Sequence, residues 1–505
     1  MNNRVPRRQF LQSASAVGLG VGLGSWERLG PITPATAAES RVDPDIVRFR
    51  PEIEPVVRWI EETPREQILE QAVAELKAGL SYRELLAGLF LAGIRNIKPR
   101  PVGFKFHAVL VINSAHLLGQ TAAVSDRLLP LLWALDNFKS SQARDVSEGD
   151  WTLGRVDEVR VPPPHRARSA YLAAMEAWDA DAADAAIAGL CRGSGAAETM
   201  EAVWRMAVRD QRNIGHKPIF AAQSWRTLQA IGWQHAEPVL RSLTFGLLDL
   251  QGDRPRPVGP FEANLETARG LREDWQAGRN DPGAARSLLE TMRQEIPERC
   301  SAEAARLLNA GVSPATLWDS VMLMASELMM RNPGIIALHA TTAANALHYI
   351  YEASGDDLTR KLALLQAVGW QPLYRERLKS AAPLRIDSLD EAEIQASGDA
   401  AVSEIFETIS SDRAQAAAQT VAYLKRGGSP EKIFQAARRL IFLKGTDSHD
   451  YKYGAAIWEE CGGVSEPRWQ APLAAAAMFH LPGTRTEDSP LMIRARAAVA
   501  TVLGS

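Results

Sequence analysis

Hydrophobic positions recur at helical spacing along almost the whole chain. In residues 42–78, Ile60, Ile68, Leu69, Ala72 and Leu76 include three-, four- and eight-residue steps, which predicts helix. Ser81 opens SYRELLAGLFLAGIRNI, which is apolar on most faces and therefore expected to be buried. Pro99 and Pro101 end it, and the segment carrying His107 follows at once. Helical character continues over 128–133 and returns as a helix pair over 170–190, with a counterpart at 401–424, and as a helix over 238–250. Between 140 and 168 the periodicity fails: EGDWTLGRVDEVRVPPPHR predicts a long loop with a short strand, the sort of loop that caps a site. Strand-like alternation is scarce elsewhere, so the expected fold is all-α.

Two stretches organise the rest. His107–His116 reads HAVLVINSAH and His339–His348 reads HATTAANALH, both H-A-x4-N-x2-H, with His107, Ala108, Asn113 and His116 matching His339, Ala340, Asn345 and His348. The match extends upstream, where Ala78, Gly79 and Ser81 align with Ala310, Gly311 and Ser313. Downstream, His216, Ala222 and Trp225 align with His449, Ala455 and Trp458 after a shift of one residue. A tandem duplication explains this. It predicts two pseudo-symmetric halves, each of two similar helical units. Four unit starts carry a glycine, a short turn and a new helix, near Gly79, Gly193, Gly311 and Gly428. Each unit then holds one histidine: His107, His216, His339 and His449. The boundaries read from this pattern are a first half over 42–250, a linker over 251–285, a second half over 286–485 and a tail helix over 486–505.

Composition changes the picture little. The chain has 505 residues, 46% apolar and 23% charged, with a net charge of −3, which offers no electrostatic basis for binding nucleic acid or an anionic membrane. Cys191, Cys300 and Cys461 are the only cysteines and form no zinc-ligand spacing or disulfide framework. The N-terminus is more informative. Arg7 and Arg8 precede Phe10 and Leu11, a weakly apolar Gly- and Ala-rich stretch follows, and Ala35, Thr36, Ala37 and Ala38 offer a cleavage site. This resembles a twin-arginine signal over 1–38. It implies the twin-arginine translocase as a partner and a periplasmic or extracellular address. The GLGVGLG run lies inside this signal with no strand before it, and is discounted as a nucleotide loop. No later run of ~18 apolar residues predicts a stable membrane anchor.

The candidate chemistry lies in the histidines. On an ideal helix, His107 and His116 are nine residues apart, about 180° around the axis, whereas Asn113 and His116 share a face. A twofold axis between halves would set His107 opposite His339 and His216 opposite His449. Four imidazoles gathered in an apolar bundle would ligate iron, copper or zinc, or serve as general bases. The competing reading is packing, with each histidine bonding a backbone carbonyl. Asn113, His116, Asn345, His348 and Lys452 are candidate substrate-binding residues. Lys217, Asp450 and Lys452 also read as solvated charges at helix starts.

The stretch LHATTAANALHYIYEASGDDLTRKLALLQAVGWQPLY, from Leu338, resembles the questin oxidase-like family, with Leu338, His339, Thr342, Ala346 and Leu347 matching its helix motif. SHDYKYGAAIWEE resembles that family's H-x-x-K segment through His449 and Lys452. NIGHKPIFAAQSW and the 170–190 helix pair fit more loosely, and the likeness spans most of 70–480. Where the family pattern has a second histidine, this chain has Asn345. The resemblance implies an oxidoreductase of Baeyer–Villiger type that inserts oxygen beside a ring ketone of an aromatic, quinone-like molecule. It also implies NADPH, a cofactor that an exported protein would not meet. The reading is an exported oxidoreductase with a small apolar or aromatic substrate in a histidine-lined pocket. The alternative is a non-catalytic helical-repeat protein that binds a ligand or partner.

Overall fold

Short polar signals start the helices. The Ser81 hydroxyl accepts the Glu84 backbone N–H while the Glu84 carboxylate accepts the Ser81 N–H, a reciprocal cap. Its repeat partner Ser313 accepts the Thr316 N–H. Gly79 and Gly311 end the preceding helices in left-handed conformation, and Gly427 does so in the last unit. Gly193 is the last residue of its helix, where a Cβ would come within 2.7 Å of Pro164, and Ser194 and Gly195 make the turn to the next helix.

The computed structural model describes residues 45–378 and 382–503. The twin-arginine segment, 1–38, lies outside the described residues. The early helices are α1 (Glu54–Glu62), α2 (Ile68–Ala78), α3 (Tyr82–Asn96), α4 (His107–Leu110), α5 (Ile112–Gln120) and α6 (Leu129–Ser147). They continue as α7 (Pro164–Ala177), α8 (Ala180–Gly193), α9 (Ala196–Ala207), α10 (His216–Ile231) and α11 (Ala236–Leu247). After α12 (Phe261–Arg269) come α13 (Pro282–Gln294), α14 (Pro297–Asn309), α15 (Pro314–Arg331), α16 (Ile335–Ala353) and α17 (Asp357–Arg377). The last are α18 (Gly398–Ile409), α19 (Arg413–Lys425), α20 (Pro430–Lys444), α21 (Ser448–Gly463), α22 (Gln470–Ala477) and α23 (Pro490–Leu503). The fold is all-α. Among the described residues only two isolated β-bridges occur, Ile46 with Gly154 and Arg279 with Val312, so the strand expected in the 140–168 loop is reduced to one contact. That loop is also shorter than expected, because α6 runs on to Ser147 and α7 starts at Pro164.

Helix pairings recur along the chain. α1 packs on α3, α3 on α6, α8 on α11 and α10 on α11. In the same order, α13 packs on α15, α15 on α17, α19 on α22 and α21 on α22. The centre is a ring of four: α5 touches α10, α10 touches α16, α16 touches α21, and α21 touches α5. α15 and α16 are buried on nearly every face, as expected for helices apolar all round. Each buried leucine or methionine there contributes roughly 1.5–3 kcal/mol relative to exposure, so the core holds the ring firmly. Arg226 and Glu459, which occupy matching repeat positions, pair with each other at 2.8 Å.

The halves do not form separate bodies, since Asp45–Ser505 is one compact unit. Residues 251–285 are not a free linker either. Val258 accepts the Gln211 N–H and donates to Asp210, and α12 packs on α17. The tail helix α23 packs back on α2 and α6, with Arg494 paired to Glu70. Among the described residues no helix is long and apolar enough to cross a membrane.

Candidate metal centre

The four repeat histidines meet at the start of the central ring. His107 and His216 are the first residues of α4 and α10, His449 is the second residue of α21, and His339 lies one turn into α16. The Nε2 atom of His216 lies 3.0 Å from Nε2 of His107 and 3.0 Å from Nε2 of His339. His107, His339 and His449 each bring one ring nitrogen within 4.8 Å of the others. Ring centroids are 4.9 Å apart for His107–His216, 4.4 Å for His216–His339, 5.2 Å for His339–His449 and 4.5 Å for His107–His449. His107 and His339 are farther apart, at 6.3 Å, and so face each other across the cluster.

The other ring nitrogen decides the chemistry. Nδ1 of His107 lies 2.8 Å from the Phe104 carbonyl, Nδ1 of His216 2.5 Å from the Asn213 carbonyl, and Nδ1 of His339 2.7 Å from the Ile335 carbonyl. Nδ1 of His449 meets the Asp447 carboxylate. A carbonyl or carboxylate oxygen only accepts, so every Nδ1 carries the hydrogen. Every Nε2 then presents a lone pair to the cluster. Two neutral lone pairs at 3.0 Å have no bond to make. A shared cation removes the conflict, and it is how metal-binding histidines are usually oriented. Metal–nitrogen bonds of ~2.0–2.1 Å separate adjacent ligand atoms by roughly 2.9–3.4 Å, which matches the two 3.0 Å contacts of His216.

A proton is a poor candidate for that shared cation. Burial pushes His107, His216 and His339 well below the ordinary histidine range, and Lys452 and the neighbouring imidazoles add to the depression. His449 is also lowered, chiefly by burial, although its bond to Asp447 works against this. That bond holds the Asp447 carboxyl down at about 2. The N-termini of α10, α16 and α21 lie at the site, and their positive ends further disfavour imidazolium.

Backbone strain is concentrated just before His216. Asn213, Ile214 and Gly215 have φ of 57°, 50° and 83° immediately before His216. A β-branched residue in this region costs on the order of 1–3 kcal/mol, so the surroundings must enforce it. Tyr374 donates its hydroxyl to the Ile214 carbonyl at 3.0 Å. A Cβ on Gly215 would lie 2.5 Å from that hydroxyl oxygen and 2.6 Å from the Ala343 Cβ, so only glycine fits. Below the turn, buried Asp210 pairs with Lys217 at 2.5 Å and with Arg212 at 2.9 Å. Lys217 is therefore not a solvated charge.

Lys452 is not one either. It follows His449 by three residues on α21, is 2% exposed, and its Nζ has no hydrogen-bond partner among the described residues. Burial, partly offset by Asp447, brings it down to about 7. It stands near the histidines without lining the cavity in front of them.

That cavity has a volume of about 710 Å³. All four histidines line it, together with α6 through Asn137 and Arg144, the 211–214 turn, Gln251, and Arg377 at the end of α17. Asn113, His116, Asn345 and His348 do not reach it. Six residues along the helix carry the asparagines roughly 9 Å from the cluster, and nine residues carry the histidines roughly 13.5 Å, all onto other faces. Asn113 donates to Gln223 at 2.6 Å, and His116 meets the Tyr82 hydroxyl at 3.1 Å. Asn345 donates to Glu460 at 2.8 Å, and His348 meets the same carboxylate at 2.9 Å while stacked on Trp318. These contacts join helices. Sequence reading missed Asp447, Asn137, Gln251 and Arg377. Only Asp447 left a signal, as an acceptor two residues before His449.

The chain matches no protein-family model, no curated protein and no solved structure.

Proposed function

We propose that His107, His216, His339 and His449 bind one transition metal and that the protein is an oxidoreductase acting on a small molecule in the adjoining cavity. The observation that carries this reading is that Nε2 of His216 lies 3.0 Å from Nε2 of both His107 and His339, that His449 joins the cluster, and that every Nδ1 is committed to an acceptor outside it. Imidazole nitrogens suit iron, copper and zinc, and no thiolate stands among these ligands. A bound iron or copper ion would supply one-electron chemistry. The histidines would hold the metal, their Nδ1 acceptors fix ring orientation, and the adjoining cavity gives a substrate access to it. The resemblance to questin oxidase-like proteins points to an aromatic, quinone-like substrate. Recurring helix pairings support a tandem duplication with a pseudo-twofold axis through the cluster. The alternative of a binding-only repeat scaffold predicts its distinctive residues on an exposed face, whereas here they surround a cavity.

Elemental analysis of protein purified from the periplasm tests the reading. About one iron, copper or zinc per chain is expected, lost in His339→Ala. Metal-free protein, with His339→Ala lowering only stability, would refute it. Export is tested separately: Lys-Lys in place of Arg7 and Arg8 should leave precursor in the cytoplasm, and normal export of that variant would remove the periplasmic assignment.

A further inference from the structure

The charges around the cavity indicate what the centre takes. Four imidazoles are neutral ligands, so a divalent ion bound by them keeps its full charge. The cavity wall carries the cations Lys105, Arg144, Arg212 and Arg377 against the carboxylates Asp253 and Asp447. Lys105 is paired with Asp145 at 2.6 Å, Arg144 with Glu148 at 2.7 Å, and Arg212 with Asp210 and Asp253. Arg377 has no carboxylate partner among the described residues, while Asp447 is committed to His449. These last two charges cancel. The charge of the metal therefore remains without a counter-ion at the cavity, an arrangement that favours an anionic ligand.

Hydrogen-bond donors are available for such a ligand. Asn137 Nδ2 and Gln211 Nε2 line the cavity, are buried, and lack acceptors among the described residues. Gln211 is only 1% exposed. The N-termini of α10, α16 and α21 add positive potential at the same place.

We infer that the substrate is a small organic anion, a carboxylate or phenolate on an apolar or aromatic body, whose oxyanion faces the metal. Arg377, Asn137 and Gln211 supply charge and donors from the cavity wall. The inference rests on the proposed metal centre. It narrows the substrate class, since a neutral ring ketone would leave the charge uncompensated.

Cobalt(II)-loaded full-length protein, titrated with benzoate, azide and benzyl alcohol, provides the test through the cobalt visible bands. Benzoate and azide should bind and shift the bands, and benzyl alcohol should bind at least tenfold more weakly than benzoate. Arg377→Met should weaken benzoate about tenfold at unchanged cobalt content. Arg377 is exposed at a helix end, so this variant should keep its fold, with Gln211→Leu as an independent second variant. Equal binding of benzoate and benzyl alcohol, or no response to either anion, would overturn the anionic assignment while leaving the metal centre intact. Failure to retain cobalt would instead refute the centre itself.

Discussion

The segment α4–α5 and the helix α16 carry the same motif, and its two ends have diverged differently. At the near end, His107 and His339 face the same cluster, both with Nδ1 on a backbone carbonyl and both neutral. At the far end, His116 meets a tyrosine hydroxyl and is lowered by burial. Burial also opposes charge on His348, but Glu460 outweighs it and raises that histidine. Matched environments mark a shared requirement, whereas unmatched ones mark local packing solved separately. A repeated sequence motif therefore holds two kinds of histidine, and only their partners tell them apart.

The largest expected effect separates the two ends directly. His339→Ala should reduce bound metal from about one per chain to below a tenth, whereas His348→Ala should leave metal content unchanged. Instead His348→Ala leaves Glu460 buried with fewer donors, and urea unfolding should show a loss of roughly 3 kcal/mol. Metal loss in both variants, or in neither, would erase the distinction.

A second experiment uses pH on metal-free protein. The raised His348 contributes stability that is fully present below the unfolded value near 6.5 and is lost as pH rises through its folded value. The advantage of wild type over His348→Gln should therefore shrink from pH 5.5 to pH 8. The near-end histidines have lowered values, so the unfolded chain takes up their protons first and they destabilise the protein as pH falls below about 6.5. The stability difference between wild type and His339→Gln should run in the opposite direction. Parallel trends would mean that the two ends do not differ electrostatically.

Much of this was legible in the sequence. The repeat exposed the four histidines because His216 and His449 align only once the offset from His107 and His339 is known. The period of the hydrophobic positions showed an all-α chain. The depth of each histidine was not legible, because a nine-residue step says that two side chains diverge but not which one faces the cavity. Nor could sequence show the left-handed turn at 213–215, which depends on Tyr374 and Ala343 from distant helices. Lys217 and Lys452 read as surface charges because their burial is set by tertiary neighbours rather than by local pattern.

Lys452 gives a smaller effect that sharpens the near end. Its amine is buried and has no hydrogen-bond partner among the described residues, and a lysine lowered to about 7 opposes folding at every pH below its unfolded value, fully so below 7. Lys452→Met should therefore stabilise the metal-free protein by roughly 1–3 kcal/mol at pH 6, and by less at pH 9. Destabilisation would show that the amine has a partner in solution. The smallest contrast is between the two asparagines. Asn345→Ala, which removes a bond to a carboxylate, should cost about 2 kcal/mol, against about 1 kcal/mol for Asn113→Ala, measured by urea unfolding. Equal costs would remove the asymmetry of the far end.

The central claim is that four inward Nε2 atoms hold one metal. Anomalous diffraction from crystals of the protein, collected on either side of the iron, copper and zinc edges, tests it most directly. The account predicts a single peak at roughly 2.0–2.2 Å from the Nε2 atoms of His107, His216, His339 and His449. No peak at the cluster, with the rings turned so that a ring N–H or a water bridges His216 to His107 and His339, would contradict it.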